Sequence, residues 1–189
     1  MSEAVNAAPS HIEAPAYPNA KLRVLVPAER IHQRIEELGQ QINADYSGPI
    51  VMVGILKGAF IFMSDLARAI HRPLRIDFMG ISSYGNAKTS SGEVRVTKDL
   101  DMSIEGLDVL VVEDIVDSGV TLTYLIHVLS QRRPRSIRIA ALLDKPDRRM
   151  RPIKVNYCGF EIPDEFVVGF GLDYAEDYRN LREICVLES

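Results

Sequence analysis

Short runs of consecutive apolar residues recur along this chain and constrain its fold more than any other sequence feature. The run at residues 50–56 shows no alternation with polar side chains, which is typical of a strand buried on both faces, and the apolar runs at 109–112 and 137–143, the latter interrupted by Arg138, are further strand candidates. Segments suited to helices lie between them, at residues 59–70 and 121–131. Strands that alternate with helices predict an α/β fold, in which a mostly parallel central sheet is flanked by helices.

The rest of the chain fits one domain behind a short tail. A chain of 189 residues corresponds to about one domain, which we expect to occupy residues 21–189. A helix is expected after Pro27, because four apolar residues share one face of a 3.6-residue period: Ile31, Ile35, Leu38 and Ile42. Further strands are expected at residues 75–81, 155–159, 167–170 and 184–187. Residues 1–20 are rich in Ala and Pro without an apolar period, which predicts a mobile tail.

Composition argues against several classes of protein. The apolar runs are far shorter than the roughly 18 residues that a membrane helix needs, and the first residues show no secretory signal. We therefore expect a cytoplasmic location and no membrane partner. Two cysteines, Cys158 and Cys185, are too few for a disulfide framework and are expected to be reduced core thiols. A net charge of −4 argues against a nucleic-acid binder with a uniformly basic surface.

The two signs of charge are separated along the second half of the chain. Residues 99–117 hold seven acids and no base, whereas residues 132–151 hold eight bases and two acids. One interpretation is two solvated faces. The other is a site that needs both a metal ion and phosphate contacts.

The stretch at residues 109–122 carries the most chemical information. An apolar strand leads into Glu113 and Asp114, then into the small-residue loop 117–121, then into a helix. Ligands bind beyond the carboxyl ends of strands in open α/β sheets, and the N–H groups of a helix N-terminus favour phosphate. Hydroxyls at Ser118 and Thr121 suit a phosphate monoester, and the paired carboxylates suit ribose hydroxyls or a hydrated Mg²⁺.

The same stretch has plainer interpretations. An Asp or Ser before a helix is often only an N-cap, and two acids after a strand are often a solvated turn. The order of strand, acid, glycine and helix also occurs in nucleotide-fold methyltransferases and in response-regulator receivers. Pattern alone leaves these alternatives open.

Several motifs together resemble one family. The run Val-Val-Glu-Asp-Ile-Val-Asp-Ser-Gly-Val-Thr-Leu at residues 111–122 resembles the phosphoribosyl-pyrophosphate signature of the type I phosphoribosyltransferases. Motifs in the same order resemble parts of the hypoxanthine-guanine phosphoribosyltransferases: the pyrophosphate loop at 54–60, the lid at 82–85, the purine-facing strand end at 142–145, the hood at 160–169 and a neighbouring site loop at 172–179. The resemblance implies the type I phosphoribosyltransferase fold, with a small hood built from terminal segments.

That resemblance implies a reaction and its partners. The expected activity is purine salvage, by transfer of the phosphoribosyl group from phosphoribosyl pyrophosphate to N9 of hypoxanthine or guanine. The expected cofactor is Mg²⁺, and the expected assembly is a homodimer or homotetramer. No nucleic-acid partner is expected.

The resemblance also implies roles for particular residues around the sugar and its phosphates. Backbone groups of Leu56, Lys57 and Gly58 would hold pyrophosphate, with Arg179 as the first cation and Arg149 as a weaker candidate. The peptide between Leu56 and Lys57 is expected to allow the cis form. The phosphoribosyl group would contact Glu113, Asp114, Asp117, Ser118, Gly119, Val120 and Thr121. Glu113, Asp114 and Asp173 would serve the metal, and Ser83 and Tyr84 would close over the site.

Four residues are implied at the purine base. Asp117 would act as general base near N7, and Lys145 would donate to O6 and so favour 6-oxopurines over adenine. Phe166 would stack on the ring, and the backbone of Val167 would contact its edge. Other interpretations are that Asp117 only caps the helix, that Lys145 is solvated and that Phe166 belongs to the core.

Two other functions fit the same fold. A regulator could keep the phosphoribosyl-pyrophosphate site and bind nucleic acid, although residues 1–20 are too short and Pro-rich for a helix-turn-helix module. A transferase of the same fold could instead use xanthine or another base.

Overall fold

The computed structural model describes residues 3–4, 10–12, 16–17, 20–83 and 94–188. Within these ranges the strands are β1 Glu3–Ala4, β2 Ser10–Ile12, β3 Lys21–Val26, β4 Ile50–Leu56, β5 Leu74–Ser83, β6 Val94–Lys98, β7 Asp108–Val116, β8 Ser136–Asp144, β9 Tyr157–Glu161, β10 Val167–Val168 and β11 Ile184–Glu188. The helices are α1 Ala28–Asp45, α2 Phe60–Ala69 and α3 Val120–Ser130, and a 3₁₀ turn spans Pro146–Arg148.

A seven-stranded sheet forms the centre of the fold, in the order β1-β9-β8-β7-β4-β5-β6. Every neighbouring pair in it is parallel except β5 with β6. Apolar residues of the central strands alternate between two cores, since Met52 packs with α1 and α2 whereas Val51 and Val53 pack with α3. The prediction of a mostly parallel sheet flanked by helices is therefore confirmed.

The periodicity after Pro27 predicts the first helix correctly. All four apolar residues of that pattern, Ile31, Ile35, Leu38 and Ile42, are buried on the face of α1 that meets the sheet and α2. The apolar run at 50–56 is β4, with the bounds expected from sequence.

Strand β7 is longer than its apolar run indicates. The sequence predicts an end at Val112, but β7 continues to Val116 because β8 pairs with it to the end, up to Val116 opposite Asp144. The prediction that Glu113 and Asp114 follow the strand is therefore wrong. These two acids lie inside the strand, where its backbone fixes their position.

A second sheet of four antiparallel strands, β10-β11-β3-β2, joins segments from both ends of the chain. Its small core contains Leu22, Val24, Val168 and Cys185. We call it the terminal sheet. Strand β3 was not predicted from the sequence, although polar and apolar residues alternate in Lys-Leu-Arg-Val at its start, as they do in a half-buried strand.

The described ends of the chain bear on other predictions. The mobile tail over residues 1–20 stays a prediction for the parts outside the described residues, while residues 3–4 and 10–12 pair with β9 and β3. Cys158 and Cys185 are free thiols, the first half-buried and the second buried. None of the three helices in the described ranges has the length and hydropathy to cross a membrane.

Four ion pairs join the acidic and basic stretches of the second half. Arg132 pairs with Asp99 at 2.7 Å, and Arg148 pairs with Asp117 at 2.9 Å. Further pairs join Arg133 with Glu105 and Arg135 with Asp108. The separation of charge along the sequence thus becomes a set of ion pairs across the carboxyl and amino ends of β7 and β8.

Candidate active site

A cavity of about 470 Å³ opens at the carboxyl ends of β7 and β8. It is lined by Asp114, Ile115, Asp117, Lys145, Arg148, Asp164, Phe166, Val167, Leu172 and Asp173. Six of these were predicted as site residues from the sequence: Asp114, Asp117, Lys145, Phe166, Val167 and Asp173. The other four were not singled out, and among them Arg148 and Asp164 bring charge to the cavity.

The loop between β7 and α3 has the features of an anion site. Gly119 adopts φ +78°, and a Cβ there would lie 2.9 Å from the carbonyl oxygen of Arg151, so this position needs glycine. Helix α3 begins at Val120, and the first N–H groups of a helix have no partner within it. Those N–H groups, near the hydroxyls of Ser118 and Thr121, provide the donors that a phosphate requires.

Asp117 is not the N-cap of α3. The cap position is Gly119, without a side-chain cap, so the interpretation of Asp117 as a helix cap is wrong. The Nε atom of Arg148 lies 2.9 Å from Asp117 Oδ1, but its N–H is not aligned for a hydrogen bond. Within the described part of the chain, this buried oxygen has no hydrogen-bond donor. The Asp117 side chain as a whole is about half-exposed and lines the cavity, so its carboxylate can meet a ligand there.

The two acids in β7 are buried carboxyl groups. Burial raises the pKa of Glu113 well above its usual value, and the charge of Asp114 raises it further. Burial also raises the pKa of Asp114. The Ile115 N–H donates a hydrogen bond to Asp114 Oδ1 at 2.9 Å, which lowers this pKa and opposes part of the shift. The charge of Arg179 opposes this shift, and that of Asp173 adds to it. Asp114 lines the cavity, and Glu113 is not among the residues that line it.

The predicted pyrophosphate loop packs directly on Asp114. A Cβ at Gly58 would collide with the Asp114 carboxylate, and a Cβ at Gly171 would collide with the carbonyl oxygen of Gly58. The peptide between Leu56 and Lys57 is cis. The structure therefore brings the loop at residues 56–58 against both β7 and the segment before Asp173.

Ion pairs hold the two arginines predicted as cations for pyrophosphate and also the side chain of Lys57, whose backbone was predicted to bind there. Arg179 Nη2 lies 2.8 Å from Asp173 Oδ1, and Nη1 donates to the carbonyl oxygen of Gly171 at 2.8 Å. Lys57 Nζ lies 2.8 Å from Glu176 Oε2, and this pair is largely exposed. Arg149, the weaker candidate, instead pairs with Asp144 and donates to the carbonyl oxygen of Asp117 at 2.9 Å.

The predicted base-binding residues line the same cavity. Lys145 is only 8% exposed, and its Nζ donates to the backbone carbonyl of Glu165 at 2.7 Å. The Asp164 Oδ1 atom lies 3.6 Å from the same ammonium. Phe166 is 53% exposed and meets Tyr174 edge-to-face, with ring centroids 5.6 Å apart. The alternatives that Lys145 is solvated and that Phe166 belongs to the core are therefore wrong. Val167 is buried in β10.

The predicted lid falls largely outside the described residues. Ser83 is the last residue of β5, so the strand extends into the region predicted as loop. Tyr84 and the residues up to 93 lie outside the described ranges.

The carboxylates of the cavity fit a magnesium ion that is held mainly by a substrate. Among the described residues, no group of three or more His, Cys, Asp and Glu side chains could enclose a metal. Asp114 and Asp173 nevertheless line one cavity and interact electrostatically. Mg²⁺ commonly takes one or two carboxylates, with phosphate oxygens and water completing its shell. The carboxylates of Asp114 and Asp173 suit a magnesium ion bound in this way.

Comparisons with known proteins agree on one family. A family model described as the phosphoribosyl transferase domain matches residues 25–175. The hypoxanthine-guanine phosphoribosyltransferase of Bacillus subtilis (strain 168) is 51% identical over 167 residues, which are 88% of this chain and 93% of that protein.

Two solved structures are similar in fold as well as in sequence. A crystal structure of a hypoxanthine phosphoribosyltransferase from Staphylococcus aureus has a TM-score of 0.84 and 51% identity, covering 87% of this chain and 90% of its own. The hypoxanthine phosphoribosyl transferase of Trypanosoma cruzi, solved to study the role of its C-terminal region in oligomeric state and enzymatic activity, has a TM-score of 0.83 and 44% identity. It covers 87% of this chain and 90% of its own.

Proposed function

The chain belongs to the phosphoribosyltransferase family, and on this basis we propose that it transfers the 5-phosphoribosyl group of phosphoribosyl pyrophosphate to N9 of hypoxanthine or guanine. The products are inosine or guanosine monophosphate and pyrophosphate, so the reaction serves purine salvage. The observation that carries this proposal is one cavity that holds the Asp117 carboxylate, the Lys145 ammonium and the Phe166 ring beside a loop suited to phosphate.

The phosphates bind at two backbone-rich loops. The 5′-phosphate accepts hydrogen bonds from N–H groups of Gly119, Val120 and Thr121 and from the Ser118 and Thr121 hydroxyls. Pyrophosphate lies against Leu56, Lys57 and Gly58. Arg179 supplies positive charge there, since its guanidinium already lies beside Asp173 and Gly171. A polyanion is thus held in an acidic protein by backbone donors and a few cations.

The buried acids of β7 serve the ribose and the metal. Asp114, which lines the cavity, accepts a hydrogen bond from one ribose hydroxyl, which compensates a carboxylate that is otherwise costly to bury. Glu113 does not line the cavity and would have to turn towards it to accept a hydrogen bond from the other hydroxyl. Asp173, with Asp114 and Glu113, would hold Mg²⁺ together with phosphate oxygens. When bound, Mg²⁺ neutralises charge on the departing pyrophosphate.

The base end of the cavity provides recognition and proton transfer. Lys145 donates to the 6-oxo group, Phe166 stacks on the ring and the Val167 backbone contacts its edge. As N9 bonds to C1′ and the C1′–oxygen bond to pyrophosphate breaks, Asp117 takes the purine proton from the N7 side. The Asp117 carboxylate suits this role because it lines the cavity and is partly exposed to it.

Two features exclude water from the reacting sugar. Val167 lies in β10, the edge strand of the terminal sheet, and Phe166 directly precedes it, so this sheet acts as the hood over the base. Ser83 and Tyr84 form part of a lid that closes over the phosphates. Water at this stage would hydrolyse the activated sugar.

The enzyme works in the cytoplasm as a homodimer or homotetramer. A nucleic-acid-binding regulator is disfavoured, because the one basic stretch of the chain is paired with acids. Arg132, Arg135 and Arg138 lie against Asp99, Asp108 and Asp45. A paired stretch offers little free positive charge to a phosphate backbone.

Turnover with a panel of bases tests the proposed function. The protein is incubated with phosphoribosyl pyrophosphate, Mg²⁺ and hypoxanthine, guanine, xanthine or adenine, and nucleotide formation is followed by absorbance. We expect inosine or guanosine monophosphate with hypoxanthine or guanine and little product with adenine. Turnover with xanthine alone would favour the alternative of a transferase of the same fold that uses xanthine. No turnover with any base would contradict the proposal.

A further inference from the structure

A chain of contacts joins the terminal sheet to the proposed base-reading lysine. Lys145 Nζ donates to the backbone carbonyl of Glu165 at 2.7 Å. The Glu165 side chain is in turn held by Arg23 of β3, with Arg23 Nη2 2.8 Å from Glu165 Oε1. Arg23 does not line the cavity, so it acts at a distance from any bound base.

Arg23 is itself fixed by a second acid. Its Nε donates to Glu188 Oε1 of β11 at 3.1 Å, so one guanidinium joins two carboxylates from different segments. The guanidinium and both carboxylates are no more than about one-third exposed. A partly buried, doubly bonded arginine is held far more rigidly than a single surface ion pair.

Two kinds of contact tie the segment at residues 164–166 to the terminal sheet. Its backbone is tied to the terminal sheet by the Leu187 N–H, which donates to the Phe166 carbonyl at 3.2 Å. Arg23 adds a second contact, its hydrogen bond to the side chain of Glu165. The other carboxylate oxygen of Glu165, Oε2, is buried without a hydrogen bond in the described part of the chain. In the described part of the chain, Arg23 is the cation that pairs with the Glu165 carboxylate.

Loss of Arg23 would leave the Glu165 carboxylate close to another cation. The Lys145 ammonium is bound to the backbone of the same residue, so the carboxylate is tethered within one side-chain length of it. Lys145 is nearly buried, and ionic attraction is stronger at such a site than in water. The freed carboxylate would pair with Lys145 and draw its ammonium away from the 6-oxo position.

From these contacts we propose that Arg23 is a positioning residue for purine recognition. It holds Glu165 so that the carbonyl of that residue orients the Lys145 ammonium while its carboxylate stays away from it. The inference rests on the proposed function, because it assigns Lys145 to the 6-oxo group. It predicts a specific defect in base binding, with the phosphoribosyl pyrophosphate site unaffected.

Steady-state kinetics of Arg23→Gln test the proposal. We expect the KM for hypoxanthine to rise about tenfold, equivalent to about 1.4 kcal/mol. The KM for phosphoribosyl pyrophosphate should stay within about twofold of the wild type. The double variant Arg23→Gln/Glu165→Gln should recover most of the hypoxanthine affinity, because no carboxylate remains to pair with Lys145. Arg23→Lys, which keeps a cation beside Glu165, should also stay close to the wild type.

Lys21→Gln is the matched control, since Lys21 is an exposed cation on the same strand, two residues away. It should leave both KM values unchanged. The inference is overturned if Arg23→Gln leaves the hypoxanthine KM within twofold, raises both KM values equally, or is not rescued by Glu165→Gln. If Arg23→Gln does not fold, wild-type behaviour of Arg23→Lys supports the inference and a hypoxanthine-specific defect in it does not. A wild type without turnover removes the proposed function itself, which is a different result.

Discussion

Replacing Gly58 with alanine places one methyl group at the contact between the pyrophosphate loop and β7. A Cβ at this position would overlap the Asp114 carboxylate. The φ of Gly58 lies outside the left-handed range, so alanine is compatible with the backbone and the penalty is steric. Either Asp114 rotates and loses its 2.9 Å hydrogen bond from the Ile115 N–H, or residues 57–58 move away.

Both responses have a cost that can be approximated. Overpacking of one methyl group in a tight contact costs about 1–3 kcal/mol, which lowers Tm by roughly 2–12 °C for a chain of this size. Activity should fall more than stability. A hydrogen bond between a ribose hydroxyl and a carboxylate contributes about 1.5–3 kcal/mol, so its loss lowers kcat/KM for phosphoribosyl pyrophosphate about 10- to 150-fold.

Thermal unfolding and steady-state kinetics measure the two effects in Gly58→Ala. Gly48→Ala is the control, because a Cβ at Gly48 would meet only Arg135 Nη2, at 3.9 Å. It should change stability by no more than about 0.5 kcal/mol and leave the kinetics unchanged. A Gly58→Ala enzyme with wild-type Tm and wild-type kcat/KM would refute the contact between the pyrophosphate loop and Asp114.

Other substitutions test separate parts of the site and the fold. Asp117→Asn should lower kcat by at least about 100-fold while each KM changes little, and an unchanged kcat would exclude Asp117 as the base. Lys145→Gln should raise the KM for hypoxanthine and guanine but not for phosphoribosyl pyrophosphate; equal changes would contradict its place at O6. A hydrogen bond from Arg135 lowers the pKa of Asp108, so the ionised carboxylate stabilises the fold above its unfolded pKa, and this is lost as pH falls through the folded pKa. Asp108→Asn should therefore cost about 1 kcal/mol in urea unfolding at pH 7 and progressively less below pH 4, whereas a pH-independent difference would contradict this ion pair.

The central sheet was predictable because its information is local. A strand buried on both faces needs an unbroken apolar run, and β4 shows one over its whole length. The end of β7 was not predictable in the same way. The strand continues through Glu113 and Asp114 because β8 pairs with it up to Val116. Pairing with a segment elsewhere in the chain cannot be read from the residues of β7 alone.

The terminal sheet was hidden for a related reason. Strand β3 pairs with β11, about 160 residues further along the chain. Its short alternation of polar and apolar residues indicates a strand only when that partner is known. The missed cavity residues Arg148 and Asp164 likewise depend on where a 3₁₀ turn and a distant loop meet. In contrast, Asp117 and Gly119 were found from sequence because their strand-loop-helix setting is contiguous.

A crystal structure with bound inosine or guanosine monophosphate would test the assignment of this cavity most directly. We expect the 6-oxo group within hydrogen-bond distance of Lys145 Nζ, about 2.7–3.2 Å, and the ring against Phe166. The phosphate should accept hydrogen bonds from the N–H groups of residues 119–121, with Asp117 facing the N7 side of the purine. A nucleotide bound with its phosphate away from this loop, or with its base outside the cavity, would contradict the assignment.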